Sequence, residues 1–229
     1  MRSIVFDSGP LISFATNNML WLLPLMKERF QGEFIIPPAV KQEIVDRPLG
    51  SKKFKYEALQ ILAMLEQGII KQTFNEDIKR RSERLLLMSN ELFRAQDNFI
   101  RICHPAEMEA LATAIEIGAD TIVIDEFITK TLIERPEAVR ERMEKKLHLG
   151  VTGDDLKVRE FLKEVSMVKP IRSVDIAVVA YELGLYSKLK PAGADADRTL
   201  LEAILWGLKL NGCSITENEI GEILRLEGI

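Results

Sequence analysis

Short apolar runs that end in an acid or a proline alternate with segments of helical period along much of this chain. Ser3-Ile4-Val5-Phe6 runs into Asp7-Ser8-Gly9-Pro10, Glu33-Phe34-Ile35-Ile36 stops at Pro37-Pro38, and Thr121-Ile122-Val123-Ile124 runs into Asp125-Glu126. Continuous apolar strands of this length, bounded by turn residues, fit a parallel sheet covered on both faces. Ile69 to Phe74 predicts a shorter strand at a sheet edge. Leu11, Ile12, Phe14 and Ala15 repeat at helical spacing, with Asn17-Asn18 as a break after them. Pro38 is placed to open a helix through Val45, Tyr56 to Leu65 predicts a helix ended by Gly68, and His104 to Gly118 predicts one with proline at its start and glycine past its end. Strand, helix, strand order with connections this short predicts an α/β fold with a mainly parallel sheet.

Two stretches depart from that rhythm. Asn75 to Ile100 reads as one long charged helical region, locally basic at Lys79, Arg80, Arg81 and Arg84. Lys130 to Val168 mixes Glu, Arg and Lys, broken by Gly150 and Gly153, and predicts two solvent-facing helices inserted into the sheet domain. Apolar helices follow at Ile176 to Leu185 and Thr199 to Leu210. A last helix is capped by Thr216 with Glu219 completing a capping box.

Composition narrows the classes. The 229 residues are 47% hydrophobic and 29% charged, which argues against extended disorder. A formal charge of −4 supplies no global basic field for nucleic acid or anionic membrane, so phosphate must be held by local positive groups or by a metal. Cys103 and Cys213 lack the paired spacing of a zinc or redox site, which predicts core thiols in a reducing compartment. No apolar stretch is long enough to span a bilayer, and the N-terminus does not read as a secretory signal. The expected location is cytoplasmic, with no membrane partner.

The chemistry concentrates in carboxylates. Asp7 and Asp125 end strands, and Glu43 and Glu107 lie near helix starts. Helical spacing places Glu107 on the row of Leu111, Ala114 and Gly118, the buried side. Each acid alone has a structural alternative: Asp7 or Ser8 capping the following helix, Glu107 meeting the free amides after Pro105. Together they point elsewhere. Neighbouring parallel strands lie about 4.8 Å apart, so acids at adjacent strand ends converge, and converging like charges need a cation. Hard oxygen ligands without a Cys or His cluster favour Mg²⁺ or Mn²⁺ over zinc, and such ions bind phosphate and activate water.

These residues resemble the PIN domain of metal-dependent ribonucleases. Val5-Phe6-Asp7-Ser8-Gly9-Pro10-Leu11-Ile12 is similar to its first motif, with Asp7 on the metal and Ser8 supporting, and Pro37-Pro38-Ala39-Val40 through Glu43-Ile44 to its second. Ala106-Glu107-Met108-Glu109-Ala110-Leu111-Ala112 with Ile124-Asp125-Glu126 resembles the variant carrying a Gly-Glu-x-Glu-Ala helix and an Ile-Asp-Asp strand end, a subgroup found beside toxin genes. Ser173 to Leu185 and Leu201 to Leu226 resemble that subgroup's tail. The chain departs from the pattern at Ala106, where glycine is usual, at Glu126, where aspartate is common, and at Asp175-Ile176.

The resemblance implies a three-layer α/β/α sandwich with a central, mainly parallel twisted sheet, spanning 1–229 as a single PIN-like domain with helical insertions at about 75–100 and 130–170. It implies a Mg²⁺- or Mn²⁺-dependent endoribonuclease in which Asp7, Glu43, Glu107 and Asp125 are catalytic and Asp7, Glu107 and Asp125 are the metal ligands. Ser8 and Glu126 are supporting residues. RNA is the expected substrate, held by basic residues such as Arg80, Arg81, Arg84, Arg140 and Arg142 unless these form solvated, acid-balanced faces. A homodimer and an antitoxin-like protein partner are further expectations. The alternative is a catalytically weak PIN-like scaffold that serves as an RNA-binding or protein-interaction module, its charged insertions forming a dimer face or covering the site. Other readings lack their motifs. Gly9 stands where a phospho-aspartate phosphatase has its second acid, no glycine-rich phosphate loop is present, and neither His104 nor His148 belongs to a triad pattern.

Overall fold

A computed structural model describes residues 2–229. The chain runs β1 (Ser3–Phe6), α1 (Ser8–Thr16), α2 (Leu22–Phe30), β2 (Glu33–Ile36), α3 (Pro38–Lys41), a π-helical turn (Gln42–Asp46), α4 (Arg47–Leu49), α5 (Lys55–Glu66), β3 (Ile70–Gln72), α6 (Glu76–Ser89), β4 (Phe93–Ala95), β5 (Asn98–Phe99) and α7 (Pro105–Glu116). It continues with β6 (Thr121–Val123), α8 (Phe127–Glu134), α9 (Pro136–Leu147), β7 (Val151–Gly153), α10 (Asp155–Val165), β8 (Pro170–Ile171), α11 (Ser173–Glu182), α12 (Ala196–Leu210) and α13 (Glu217–Leu226).

Five strands pair in parallel in the order β3-β2-β1-β6-β8, flanked by helices in an α/β/α arrangement. The apolar strand residues explain the layers. Val5, Phe6, Ile36, Ile122, Val123 and Ile124 have no exposed surface, and Phe6 packs edge-on against Phe34 with ring centroids 5.2 Å apart. A strand buried on both faces gains about 1.5–3 kcal/mol for each large apolar side chain removed from water. That reward is available only when helices cover both sides.

The order of the strands also positions a site. From β1 the chain steps outward to β2 and β3 on one side, then returns to place β6 and β8 on the other. The strand order therefore reverses between β1 and β6, and in open parallel sheets the crevice beyond the carboxyl ends at such a reversal is where ligands bind. Asp7 follows β1 there and Asp125-Glu126 follow β6.

The two charged stretches differ from the sequence expectation. Residues 75–100 are not one helical region: α6 stops at Ser89, and a hairpin of β4 and β5 follows. Gln96-Asp97 makes its two-residue turn with Gln96 at φ 55°, a turn without the glycine that normally announces it. β4 also pairs antiparallel with β7, so a second, three-stranded sheet β5-β4-β7 draws on both stretches. Leu92 and Phe93 are buried there, and a Cβ on Gly153 would come within 3.3 Å of the Phe93 ring. Residues 130–168 hold most of α8, then α9, β7 and α10, and these helices are not simply solvent-facing, since Leu132, Val139, Phe161 and Val165 are fully buried. The basic start of α6 is neutralised. Arg81 pairs with Glu116 and Glu164, Arg84 with Glu164 and Arg80 with Asp77, which ties α6 to α7 and α10.

Candidate carboxylate centre

Asp7 leaves β1 with its own N–H donating to the Val123 carbonyl at 3.0 Å, so the residue is locked into the sheet before the chain turns into α1. Its side chain is buried, 2% exposed, and its Oδ1 has no hydrogen-bond partner among the described residues. The capping alternative is therefore only half realised: Asp7 occupies the position before α1 without a side-chain capping bond. Ser8 stands beside it as the first residue of that helix, half-buried. Burial pushes the Asp7 carboxyl up to about 7, the charges of Glu107 and Glu43 push in the same direction, and the nearby amides of Ser8 and Gly9 act against them.

Glu107 comes from the first turn of α7. Its Oε2 accepts from the His104 N–H at 3.0 Å and from the Thr129 hydroxyl at 2.9 Å, so the residue caps its own helix and still faces Asp7. Its carboxyl is raised above the usual range, chiefly by burial, with the charge of Glu126 contributing. Glu126 precedes α8 and caps it, accepting from the Thr129 N–H at 2.7 Å. Thr129, fully buried, thus joins the two acids through its backbone and its hydroxyl. Under them lies Cys103, whose thiol is pushed up to about 12 by burial and by the charges of Glu107 and Glu126.

Glu43 sits in the π-helical turn that continues α3, half-buried and close enough for its charge to act on Asp7. Such turns are uncommon and recur at functional sites because they re-aim a side chain. Glu109 steadies this arm, its Oε1 accepting from the Ala39 N–H at 2.8 Å across from α7 to the start of α3.

Asp125 is turned to different neighbours. Its Oδ1 accepts from the Ser173 N–H at 2.7 Å, and its Oδ2 accepts from the hydroxyls of Ser13 at 2.8 Å and Ser173 at 2.6 Å. The residue is 1% exposed, and its backbone carbonyl also receives the Ser214 N–H at 3.1 Å. It joins α1, the end of β6, the start of α11 and the turn after α12. Glu126 instead shares Thr129 with Glu107, and its charge acts on that carboxyl. Thr129 and Ser13 escaped the sequence reading, and no role was read for Glu109 or Ser173, because their bonds to Glu107, to Asp125 and to α3 run across the fold rather than within a local pattern.

Two features fit a divalent cation: the orphaned, buried Asp7 Oδ1, and the charge of two further hard carboxylates, Glu107 and Glu43, acting on it. Gly9 leaves room beside them, since a Cβ there would stand 3.9 Å from Asp7 Oδ2 and 3.4 Å from the Asp125 Cβ. The carboxylates are not gathered to coordination spacing: among the described residues no group of three or more His, Cys, Asp or Glu side chains is placed to hold a metal ion. Both cysteines are buried and free, and no helix among the described residues is long and apolar enough to cross a membrane.

No curated protein and no solved structure matches the chain. The family model DUF3368, a PIN domain, matches residues 3–137. That span runs from β1 into α9 and contains Asp7, Glu43, Glu107, Asp125 and Glu126, so the chain belongs to the PIN-domain family.

Proposed function

We propose that this protein is a Mg²⁺- or Mn²⁺-dependent endoribonuclease working at the crevice between β1 and β6. PIN domains are generally nucleases that act on RNA and are typically dependent on a divalent metal, which gives the coarse class. The observation that carries the finer reading is Asp7, a buried carboxylate with an unpartnered oxygen, crowded by Glu107 and Glu43 at the reversal of strand order.

Asp7 and Glu107 are the principal ligands in this reading. Glu126 is the third acid of the group, and Glu43 orients the attacking water. A bound Mg²⁺ or Mn²⁺ ion supplies Lewis acidity, neutralising phosphate charge and acidifying water. Glu107 is held for its task by His104 and Thr129, and Glu43 through the Glu109 bond to α3. Asp125 braces the floor, since both its oxygens are already taken by Ser13 and Ser173. Ser8, at the first turn of α1, supports Asp7 from the helix side. Hydrolysis by activated water leaves 5′-phosphate and 3′-hydroxyl ends.

One observation favours a second reading, a PIN-like scaffold that binds RNA or protein without cutting: the acids are not at coordination spacing. Thermal melting separates the two. Under the nuclease reading Mn²⁺ raises the melting temperature of the wild type and not of Asp7→Asn, because a ligand bound only by the folded state must stabilise it. Mn²⁺ without effect on either protein sinks the metal site and leaves the scaffold.

A further inference from the structure

From α4 through the connecting loop into the first turn of α5, residues 47–56 carry a charge unlike the rest of the molecule. Residues 47–56 read Arg-Pro-Leu-Gly-Ser-Lys-Lys-Phe-Lys-Tyr, with four cations and no acid in a protein of net charge −4. Arg47, Lys52, Lys53 and Lys55 are all exposed, and none pairs with a carboxylate among the described residues. The arginines of α6 and Arg140 behave differently. Arg80, Arg81, Arg84 and Arg140 are each matched to Asp or Glu partners.

Aromatic rings sit among these cations and face water. Tyr56 is 72% exposed and Phe54 43%, with the Lys53 ammonium 4.6 Å from the Phe54 ring centroid. Phe54 is held at φ 60°, a left-handed conformation that a bulky residue adopts only when its surroundings impose it. Ser51 Oγ shapes the approach, lying 2.7 Å from the Lys53 carbonyl and 3.1 Å from that of Pro48. The loop also borders the candidate site. Phe54 and Pro48 line one cleft together with Glu43, Ile12 and Thr16, the last two from the helix that begins beside Asp7.

We infer that the 47–56 loop is the substrate-holding arm, and that it takes single-stranded RNA, with lysines on the phosphates and Tyr56 and Phe54 as stacking platforms. This rests on the nuclease reading for the direction of the strand toward Glu43. The chemistry on the page chooses the strand type. Lysine ammoniums are point charges that track a backbone without reading sequence, and exposed rings need unpaired bases to stack on. In a duplex the base faces are covered. An anionic membrane would meet the same lysines, but it would not account for exposed rings set among them, one of which shares a cleft with Glu43.

The test is fluorescence anisotropy of a short labelled single-stranded RNA with the full chain in EDTA, so that binding is read without cleavage. The variants are Lys52→Ala/Lys53→Ala/Lys55→Ala, Tyr56→Ala, and a charge-matched control, Lys145→Ala/Lys146→Ala/Lys188→Ala, all exposed lysines. Losing three phosphate contacts should lower the slope of log affinity against log salt by about 2, and affinity near 0.1 M salt by on the order of 100-fold. Tyr56→Ala should cost roughly tenfold with the slope unchanged, and duplex RNA should be indifferent to it. The control should bind as wild type. A loop triple variant that matches the control overturns the inference, as does a loop that captures phosphatidylserine vesicles while RNA affinity stays unchanged. Failure of the nuclease reading is seen separately. There, RNA binding depends on the loop but no Mn²⁺-dependent cleavage follows, whereas cleavage with an unchanged KM in the loop variants defeats the arm alone.

Discussion

Replacing Asp7 by asparagine should stabilise the metal-free protein while abolishing its response to metal. The wild-type carboxyl is held from its ordinary 3.8 up to about 7 by burial and by Glu107 and Glu43. The unfolded chain gives up that proton near pH 4 and the folded protein keeps it to about pH 7, so between these values the native state binds more protons. Stability therefore falls as pH rises through that window and levels off above it. At about 1.4 kcal/mol per pH unit the loss reaches roughly 4 kcal/mol at pH 8. Asparagine has the same shape and no charge, and its amide meets the same lack of a partner, which takes back about 1 kcal/mol. The expected gain for Asp7→Asn at pH 8 in EDTA is about 2–3 kcal/mol, or roughly 5–10 °C in melting temperature for a chain of this size. Urea denaturation near pH 4.5 and pH 8 measures it, and the gain should vanish at the lower value, where the folded carboxyl is still protonated and the loss of about 1 kcal/mol is offset by the unpartnered amide. Saturating Mn²⁺ at pH 8 should reverse the order, since only the wild type binds it. An Asp7→Asn protein less stable than wild type at pH 8 in EDTA, or stabilised equally at both pH values, would refute the account of this carboxylate.

Asp125 should respond in the opposite sense: Asp125→Ala strands the Ser13 hydroxyl and both Ser173 donors in the core and should cost about 3 kcal/mol or more at any pH, read by urea denaturation. A cost under about 1 kcal/mol would show that those bonds do not brace the fold. Gly9→Ala meets only ordinary van der Waals contacts within a helix, so it should leave stability level or raise it by up to about 1 kcal/mol, yet weaken the Mn²⁺ response by filling the space beside Asp7. Melting with and without Mn²⁺ reads both effects, and an unchanged Mn²⁺ response would argue against a site at that position. Cys103 and Cys213, both raised to about 12 and buried, should resist iodoacetamide at pH 8 until urea opens the chain; rapid modification of the native protein, read by mass spectrometry, would contradict their core placement.

The middle of the parallel sheet was legible because β1, β2 and β6 are covered on both faces and so are written as unbroken apolar runs with acids or prolines at their ends, whereas the edge strand β8, two half-buried residues, carries no such run and was not read. Helix limits were legible where a terminus carries its own chemistry: Pro38, Pro105, Gly68, Gly118 and the Thr216–Glu219 capping box each act within a few residues. The small antiparallel sheet was hidden for the converse reason. β4 finds its partner β7 more than fifty residues away, and its turn residue Gln96 takes a left-handed conformation that its type does not signal. The order of the acids could be read in sequence, but the different hydrogen-bond partners of Asp125 and Glu126 could not. Asp125 and Glu126 are neighbours in the chain, and only the positions of Ser13, Ser173 and Thr129, all distant in sequence or on the next helix, send one to the serines and the other to Thr129.

Everything proposed for these carboxylates comes down to whether they cut RNA with the help of a divalent metal. The most direct measurement is incubation of a 5′-labelled single-stranded RNA with Mn²⁺ and either wild-type or Asp7→Asn protein, resolved on a denaturing gel. The account predicts products with the wild type that disappear in EDTA and with the variant. Equal cleavage by both proteins would place the activity elsewhere, and an uncut RNA with wild type in Mn²⁺ would contradict the claim.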